Sequence, residues 1–197
     1  VESPEGTASL YPYDALGRLD TTERSIVGEL FGTTTTYDEL GRVATVAYPK
    51  ATGFSPFTVK NEYDRYGHLT KVWDPAKSSK GDVYYWRLAD TDSADRITAE
   101  SLGNGFTTTR AYFDERDRLK SVHTAKGPQP PVQDLAYEYD AKLNLSCRHD
   151  ALQPQHTTEF FHYDALDRLT CSSFSNAPVC PKADSYTYEP NGNLLTK

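Results

Sequence analysis

Eight carboxylates recur at near-even intervals along the chain: Asp14, Asp38, Asp64, Asp92, Asp114, Asp140, Asp164 and Glu189, 22 to 28 residues apart. Four residues after each stands a basic or amide side chain: Arg18, Arg42, His68, Arg96, Arg118, Asn144, Arg168 and Asn193. Such residues could do several kinds of chemistry. Two carboxylates about 5–9.5 Å apart can hydrolyse a glycosidic bond. Clustered carboxylates can hold calcium, and Asp90-Thr91-Asp92-Ser93-Ala94-Asp95 superficially resembles a calcium loop. That segment lacks the central Gly and the distal Glu of an EF-hand. The arginines could bind anions, but each neighbours an Asp in its own repeat or the next, and ion pairing inside the sheet is the simpler role. The simplest role for each acid is also local, since an Asp opening a turn accepts a backbone N–H two residues on. The five histidines, His68, His123, His149, His156 and His162, show no metal-ligand spacing. No nucleophile elbow, Walker loop or dinucleotide fingerprint occurs. The sequence therefore predicts no enzyme, no catalytic residue, no cofactor and no metal.

Each carboxylate belongs to a seven-residue unit that must be positioned by the chain around it. The template is Tyr13-Asp14-Ala15-Leu16-Gly17-Arg18-Leu19. Copies begin at Tyr37-Asp38 (with Gly41 and Arg42), Tyr63-Asp64 (with Gly67), Thr91-Asp92 (with Arg96) and Phe113-Asp114 (with Arg118). Further copies begin at Tyr139-Asp140, Tyr163-Asp164 (with Arg168) and Tyr188-Glu189 (with Gly192). A Gly three residues after the Asp fits a type I turn followed by a left-handed residue, the bulged hairpin. Asp95, Asp117 and Asp167 tolerate that backbone at modest cost, whereas Leu143 should not. The seventh position is aliphatic in all eight copies and opens the return strand. Between motifs the chain turns again. Residues 43–48 and 57–63 read as strands around a loop, and 96–101 returns through 106–112 after Gly103-Asn104-Gly105, a strong hairpin signal. Each repeat thus supplies about two antiparallel strands, with short regular turns at one end and long variable loops (74–82, 125–133, 150–156, 174–183) at the other. The fold class is all-β, one repeat domain over 1–197.

Composition agrees. Aromatic residues are 12 %, with 14 Tyr, and Gly and Pro number 12 each, which favours strands and turns. The net charge of −7 argues against nucleic acid as a partner. No apolar run approaches the roughly 20 residues that span a bilayer, and no basic-apolar leader opens the chain. Met is absent, even at position 1, which points to a processed product or a fragment of a longer protein.

The repeat resembles that of the Rhs/YD-repeat family, named for its Tyr-Asp pair, over residues 10–197. The family includes bacterial Rhs toxins, the B and C components of insecticidal Tc complexes, wall-associated proteins and the teneurins. The resemblance implies an antiparallel sheet that spirals as a segment of a hollow shell. It implies partners in flanking repeats and in an enclosed C-terminal domain, and a secreted or cell-surface bacterial setting. The function it implies is structural: enclosing or displaying a toxin or partner domain. The alternative is a surface module that binds carbohydrate or a receptor, using its loops or aromatics such as Tyr137 and Phe161; an aromatic ladder packing the sheet is the simpler role for those rings. The family's toxins carry a self-cleaved Asp-Pro-x-Gly segment; Asp74-Pro75-Ala76-Lys77 lacks the Gly and reads as a turn. Unpaired strands at the two ends predict edge-to-edge self-association.

Three cysteines remain. Cys147 and Cys171 occupy equivalent places in consecutive repeats, two strands or about 9.5 Å apart, too far for a disulfide. Cys171 and Cys180 bracket a loop that can bring its ends together, which favours a Cys171–Cys180 bridge with Cys147 a free, partly buried thiol. Three reduced cysteines are the alternative for a protein held in the cytosol. Asn144-Leu145-Ser146 fits the N-glycosylation pattern but falls on a buried repeat position.

Overall fold

The computed structural model describes residues 8–26, 28–50, 53–115, 117–155, 158–174 and 185–196. Among them are sixteen strands and no helix. The first seven are β1 (Ala8–Leu10), β2 (Thr21–Ile26), β3 (Glu29–Tyr37), β4 (Val43–Ala47), β5 (Thr58–Tyr63), β6 (Leu69–Trp73) and β7 (Tyr84–Thr91). The next seven are β8 (Ile97–Leu102), β9 (Thr107–Phe113), β10 (Arg118–Ala125), β11 (Gln133–Tyr139), β12 (Leu145–Asp150), β13 (Thr158–Tyr163) and β14 (Leu169–Ser173). These fourteen form a sheet whose order follows the sequence, and β15 (Thr187–Tyr188) pairs with β16 (Leu194–Thr196) in a second, two-stranded sheet. The expected all-β, antiparallel, two-strands-per-repeat architecture is what the chain adopts. The chain groups into two units, 1–88 with 101–104 and 89–100 with 105–197.

In the first unit, β2 to β6 form hairpins whose strands are rich in Thr, Val and Tyr. Pairing slips by one residue between Thr36 and Tyr37 in β3 and between Glu62 and Tyr63 in β5. The extra residue of each bulge lies on the return strand. At one of them the Thr70 hydroxyl donates to the Glu62 carbonyl at 3.1 Å, giving that carbonyl a partner beside the bulge. At the far strand ends the loop after β6 is organised by Asp74, which is 5 % exposed. Its Oδ1 accepts the Ala76 N–H at 2.9 Å, and its carbonyl accepts from Lys77 and Ser78. Asp74-Pro75 is therefore the start of a tight turn, as the missing Gly suggested.

The second unit repeats the scheme in β9 to β14, with slips at Glu138/Tyr139 and His162/Tyr163. The Thr170 hydroxyl donates to the His162 carbonyl at 3.1 Å, as Thr70 does in the first unit. The strand β15 adjoins β14 through a bridge from Cys171 to Ser185 and a bond from the Tyr186 N–H to the Thr170 carbonyl.

The buried apolar set is small. Among the described residues only Trp73, Val122 and Cys171 are buried hydrophobics, while Asp74, Thr108, Thr124 and Ser173 are buried polar residues. Most strand residues are half-buried. An ordinary domain buries one sheet face against a second layer; here stability has to come largely from contacts running along the sheet.

Candidate functional site

The repeated Asp and its neighbours build one recurring device at the hairpin tips. Asp14 Oδ1 accepts the N–H groups of Leu16 and Arg18, both at 2.9 Å, and the Arg18 Nε donates to Oδ2 at 2.7 Å. The Asp14 N–H donates to the Arg18 carbonyl at 2.8 Å, and the Gly17 N–H to the Asp14 carbonyl at 3.0 Å. Asp38 with Arg42, Asp92 with Arg96 and Asp164 with Arg168 repeat the arrangement, with Arg Nε to Oδ2 distances of 2.7, 2.6 and 2.7 Å. His68 Nδ1 lies 3.2 Å from Asp64 Oδ2, and Asn144 Nδ2 donates to Asp140 Oδ2 at 3.3 Å. The fifth residue is left-handed throughout, with φ of 74° at Gly17, 80° at Gly41, 97° at Gly67 and 93° at Gly192.

These bonds act on the acids' titration. The Arg18 backbone N–H, with its guanidinium, holds Asp14 below the ordinary carboxylate range. At Asp38 and Asp92, desolvation works upward, but the backbone and guanidinium bonds from Arg42 and Arg96 outweigh it and the net shift is down. At Asp164 the Arg168 guanidinium is the main cause of a downward shift. Carboxylates so committed to donors in their own turn are poor candidates for acid–base catalysis, and no group of three potential metal ligands occurs among the described residues.

A second device joins neighbouring repeats at five boundaries among the described residues. The Tyr37 phenol donates to the Leu19 carbonyl at 2.8 Å, and the Arg18 guanidinium lies over the Tyr37 ring, 4.3 Å from its centroid. Tyr63 donates to Val43 at 2.9 Å under Arg42, at 4.4 Å. In the second unit Tyr112 donates to Ile97 under Arg96, and Tyr188 donates to Leu169 under Arg168. Tyr139 donates to Leu119 at 3.0 Å. The Arg is thus shared: its Nε serves its own Asp and its planar face covers the next repeat's Tyr. Arg96 also reaches Asp117 at 2.7 Å. Where Asn144 replaces Arg, Lys142 and Asn144 together reach Asp167, at 2.9 and 3.0 Å.

Two expectations need correction. Leu143 adopts φ 70°, because the Asp140 turn around it is complete and the hairpin leaves no other backbone path. The fifth motif is also shifted by one. Leu119 faces Tyr112, and Arg118 faces Phe113, so Tyr112 occupies the place assigned to Phe113 and the tip is one residue longer. Phe113 instead lies edge-on to Tyr139, with centroids 6.2 Å apart. The hydroxyl that Tyr112 has and Phe113 lacks was the available signal. At the eighth tip Glu189 takes part of the Asp's role, accepting from Asn193 Nδ2 at 3.3 Å, while the Asn193 N–H donates to Asn191 Oδ1 at 3.1 Å.

The remaining candidates are dispersed. Asp92 and Asp95 belong to a turn, and no calcium constellation forms around them among the described residues. His123 lies 3.7 Å from Asp134, and His149 3.0 Å from the Thr158 hydroxyl; His156 lies outside the described residues. Cys147 is a free thiol facing Phe160, and Cys171 faces His162, so β13 runs between the two. Burial, followed by Glu138, raises the Cys147 thiol's pKa. Cys180 lies outside the described residues, and with it the Cys171–Cys180 bridge. Asn144 spends its side chain on Asp140 and Asp167, which disfavours glycosylation there. Tyr137 and Phe161 are half-buried on strands, each beside a shallow cleft of about 590 and 440 Å³ respectively.

Comparison with known proteins places this fold. No family model matches the chain. No curated protein matches it either. Solved structures do. A mutant Tc holotoxin pore of Photorhabdus luminescens is similar with a TM-score of 0.69 and 20 % identity over 96 % of this chain. The crystal structures titled TcdB2-TccC3 and TcdB2-TccC3-Cdc42 are similar with a TM-score of 0.69 at 19 % and 18 % identity, each over 92 % of this chain. The chain spans 11 % of the length of each of those chains.

Proposed function

We propose that this chain is a stretch of Rhs/YD-repeat shell wall and that it encloses or displays a partner domain of a longer, secreted bacterial protein. The observation that carries the reading is the joint that recurs at five repeat boundaries. The Tyr phenol, the preceding carbonyl and the preceding Arg knit strand to strand, with only a few buried apolar side chains among the described residues. A wall built that way needs no second layer of its own, which is what a container requires. The fold shared with the Tc chains supports the same reading, as do motif carboxylates committed to turns. The role is steric rather than catalytic, with flanking repeats as immediate partners.

Limited proteolysis of the full-length parent protein tests it. The segment following the repeats should resist protease in buffer and become cleavable when urea opens the sheet. Immediate digestion of that segment, with the repeats still folded by circular dichroism, overturns the reading.

A further inference from the structure

Away from the Asp tips, the strand ends of the first unit carry an aromatic row that the repeat device does not use. The Tyr48 N–H donates to the Phe57 carbonyl at 2.8 Å, which sets the two rings side by side with centroids 5.6 Å apart. Phe57 is in turn 5.6 Å from Tyr85. Tyr48 is 44 %, Phe57 46 % and the nearby loop residue Phe54 72 % exposed, so the row is open to solvent. Tyr85 is held in place twice. It is the extra residue of a bulge between Tyr84 and Trp86, and its phenol donates to the buried Asp74 at 3.0 Å. Beside it opens a cleft of about 430 Å³ lined by Lys77, Val83, Tyr84, Leu102 and Gly103. Gly103 is essential to that wall: its N–H donates to the Tyr85 carbonyl, and a Cβ there would lie 1.7 Å from the Tyr84 carbonyl oxygen.

The charge at this end is opposite to that of the chain. Lys50, Lys77 and Lys80 are exposed on its two loops. The Lys77 ammonium stands over the Tyr85 ring at 5.3 Å, donates to its phenol at 3.2 Å and lies 3.8 Å from the Asp74 carboxylate, yet its side chain remains 57 % exposed. Of the two acids there, Asp74 is buried and its carboxylate accepts from Ala76 and Tyr85, which leaves Asp82 as the exposed one. A lysine over an apolar floor, with two more exposed on the flanking loops, in a chain of net charge −7, selects a ligand that is anionic and apolar together. A polyphosphate chain has no apolar group to offer the cleft.

We propose that this end docks an extended acidic polypeptide segment, with a large apolar side chain entering the cleft beside Tyr85 and carboxylates meeting Lys77 and the lysines of the flanking loops. The inference does not rest on the shell reading. The test uses chain 1–197 and fluorescence anisotropy of a fluorescein-labelled peptide of alternating Glu and Phe. Peptides of alternating Lys and Phe, and of alternating Glu and Ala, are compared. The first should bind at least about tenfold more tightly than the others, and Phe57→Ala should weaken it by about tenfold. Lys77→Glu should shift the preference toward the Lys–Phe peptide, with thermal melts of both variants confirming that they fold. Equal binding of all three peptides, or indifference to both substitutions, overturns the proposal. So does displacement of the peptide by oligothymidylate or by a glucan oligosaccharide that itself binds more tightly.

Discussion

At the scale of the residue, position matters more than type. Leu143 sits where a left-handed backbone costs a non-Gly residue about 1–2 kcal/mol. Leu143→Gly should therefore raise the urea midpoint, by an amount equivalent to about 1 kcal/mol, and Gly41→Leu should lower it by a similar amount. The Tyr37 phenol is the second case. Tyr37→Phe keeps the ring under Arg18 but leaves the Leu19 carbonyl without this donor, a loss of about 1 kcal/mol by the same measurement. The acids set the pH response. Asp14, Asp38, Asp64, Asp92 and Asp164 are all shifted downward in the fold. Folding is thus favoured by their ionised forms, and that contribution is complete above the unfolded carboxylate pKa of about 4. It is lost as pH falls through the lower folded values. A series of urea midpoints from pH 7 to pH 2 should be flat at first and then fall, and Asp38→Asn should shrink the fall. An increase in stability on acidification contradicts the assignment.

At the scale of the element, the hairpins were legible and the joints between them were not. Asp, Gly and an aliphatic residue at set offsets are local signals, so the turn at Asp38 could be read directly from residues 37–43. The bond from Tyr63 to Val43 spans 20 residues, and nothing within either segment announces it. Its specificity for Tyr over Phe sets the alignment of the fifth motif: pattern alone cannot tell Phe113 from Tyr112, whereas a carbonyl at Ile97 needing a donor can. The aromatic row at Tyr48 and Phe57 is not legible either, since the two residues end separate strands on either side of a loop and only the pairing of those strand ends brings the rings together. The loop after β6 depends on one buried acid. Asp74→Ala removes the acceptor of the Tyr85 phenol and of the Ala76 N–H. It should speed protease cleavage within residues 75–82 several-fold, while cleavage at the Asp tips stays unchanged.

At the scale of the whole molecule, two sheet edges bear on assembly. The strands β1 and β16 each have a side with no strand paired to it among the described residues, and Leu10, Leu194 and Leu195 there are 58, 53 and 61 % exposed. Sedimentation of chain 1–197 should show reversible association that strengthens with concentration; a clean monomer at high concentration argues against it. Non-reducing peptide mapping should yield a linked Cys171–Cys180 pair and a single alkylatable thiol at Cys147. The order of the sheet has a mechanical consequence. Among the described residues, every strand from β1 to β14 is bonded only to segments that adjoin it in sequence. Tension applied to the two termini therefore never loads all the hydrogen bonds together. It peels the outermost strand first, then the next, at a force set by one hairpin and not by the whole. Such a chain pays out like thread from a spool, and a narrow pore pulling on one end would draw it through a strand at a time.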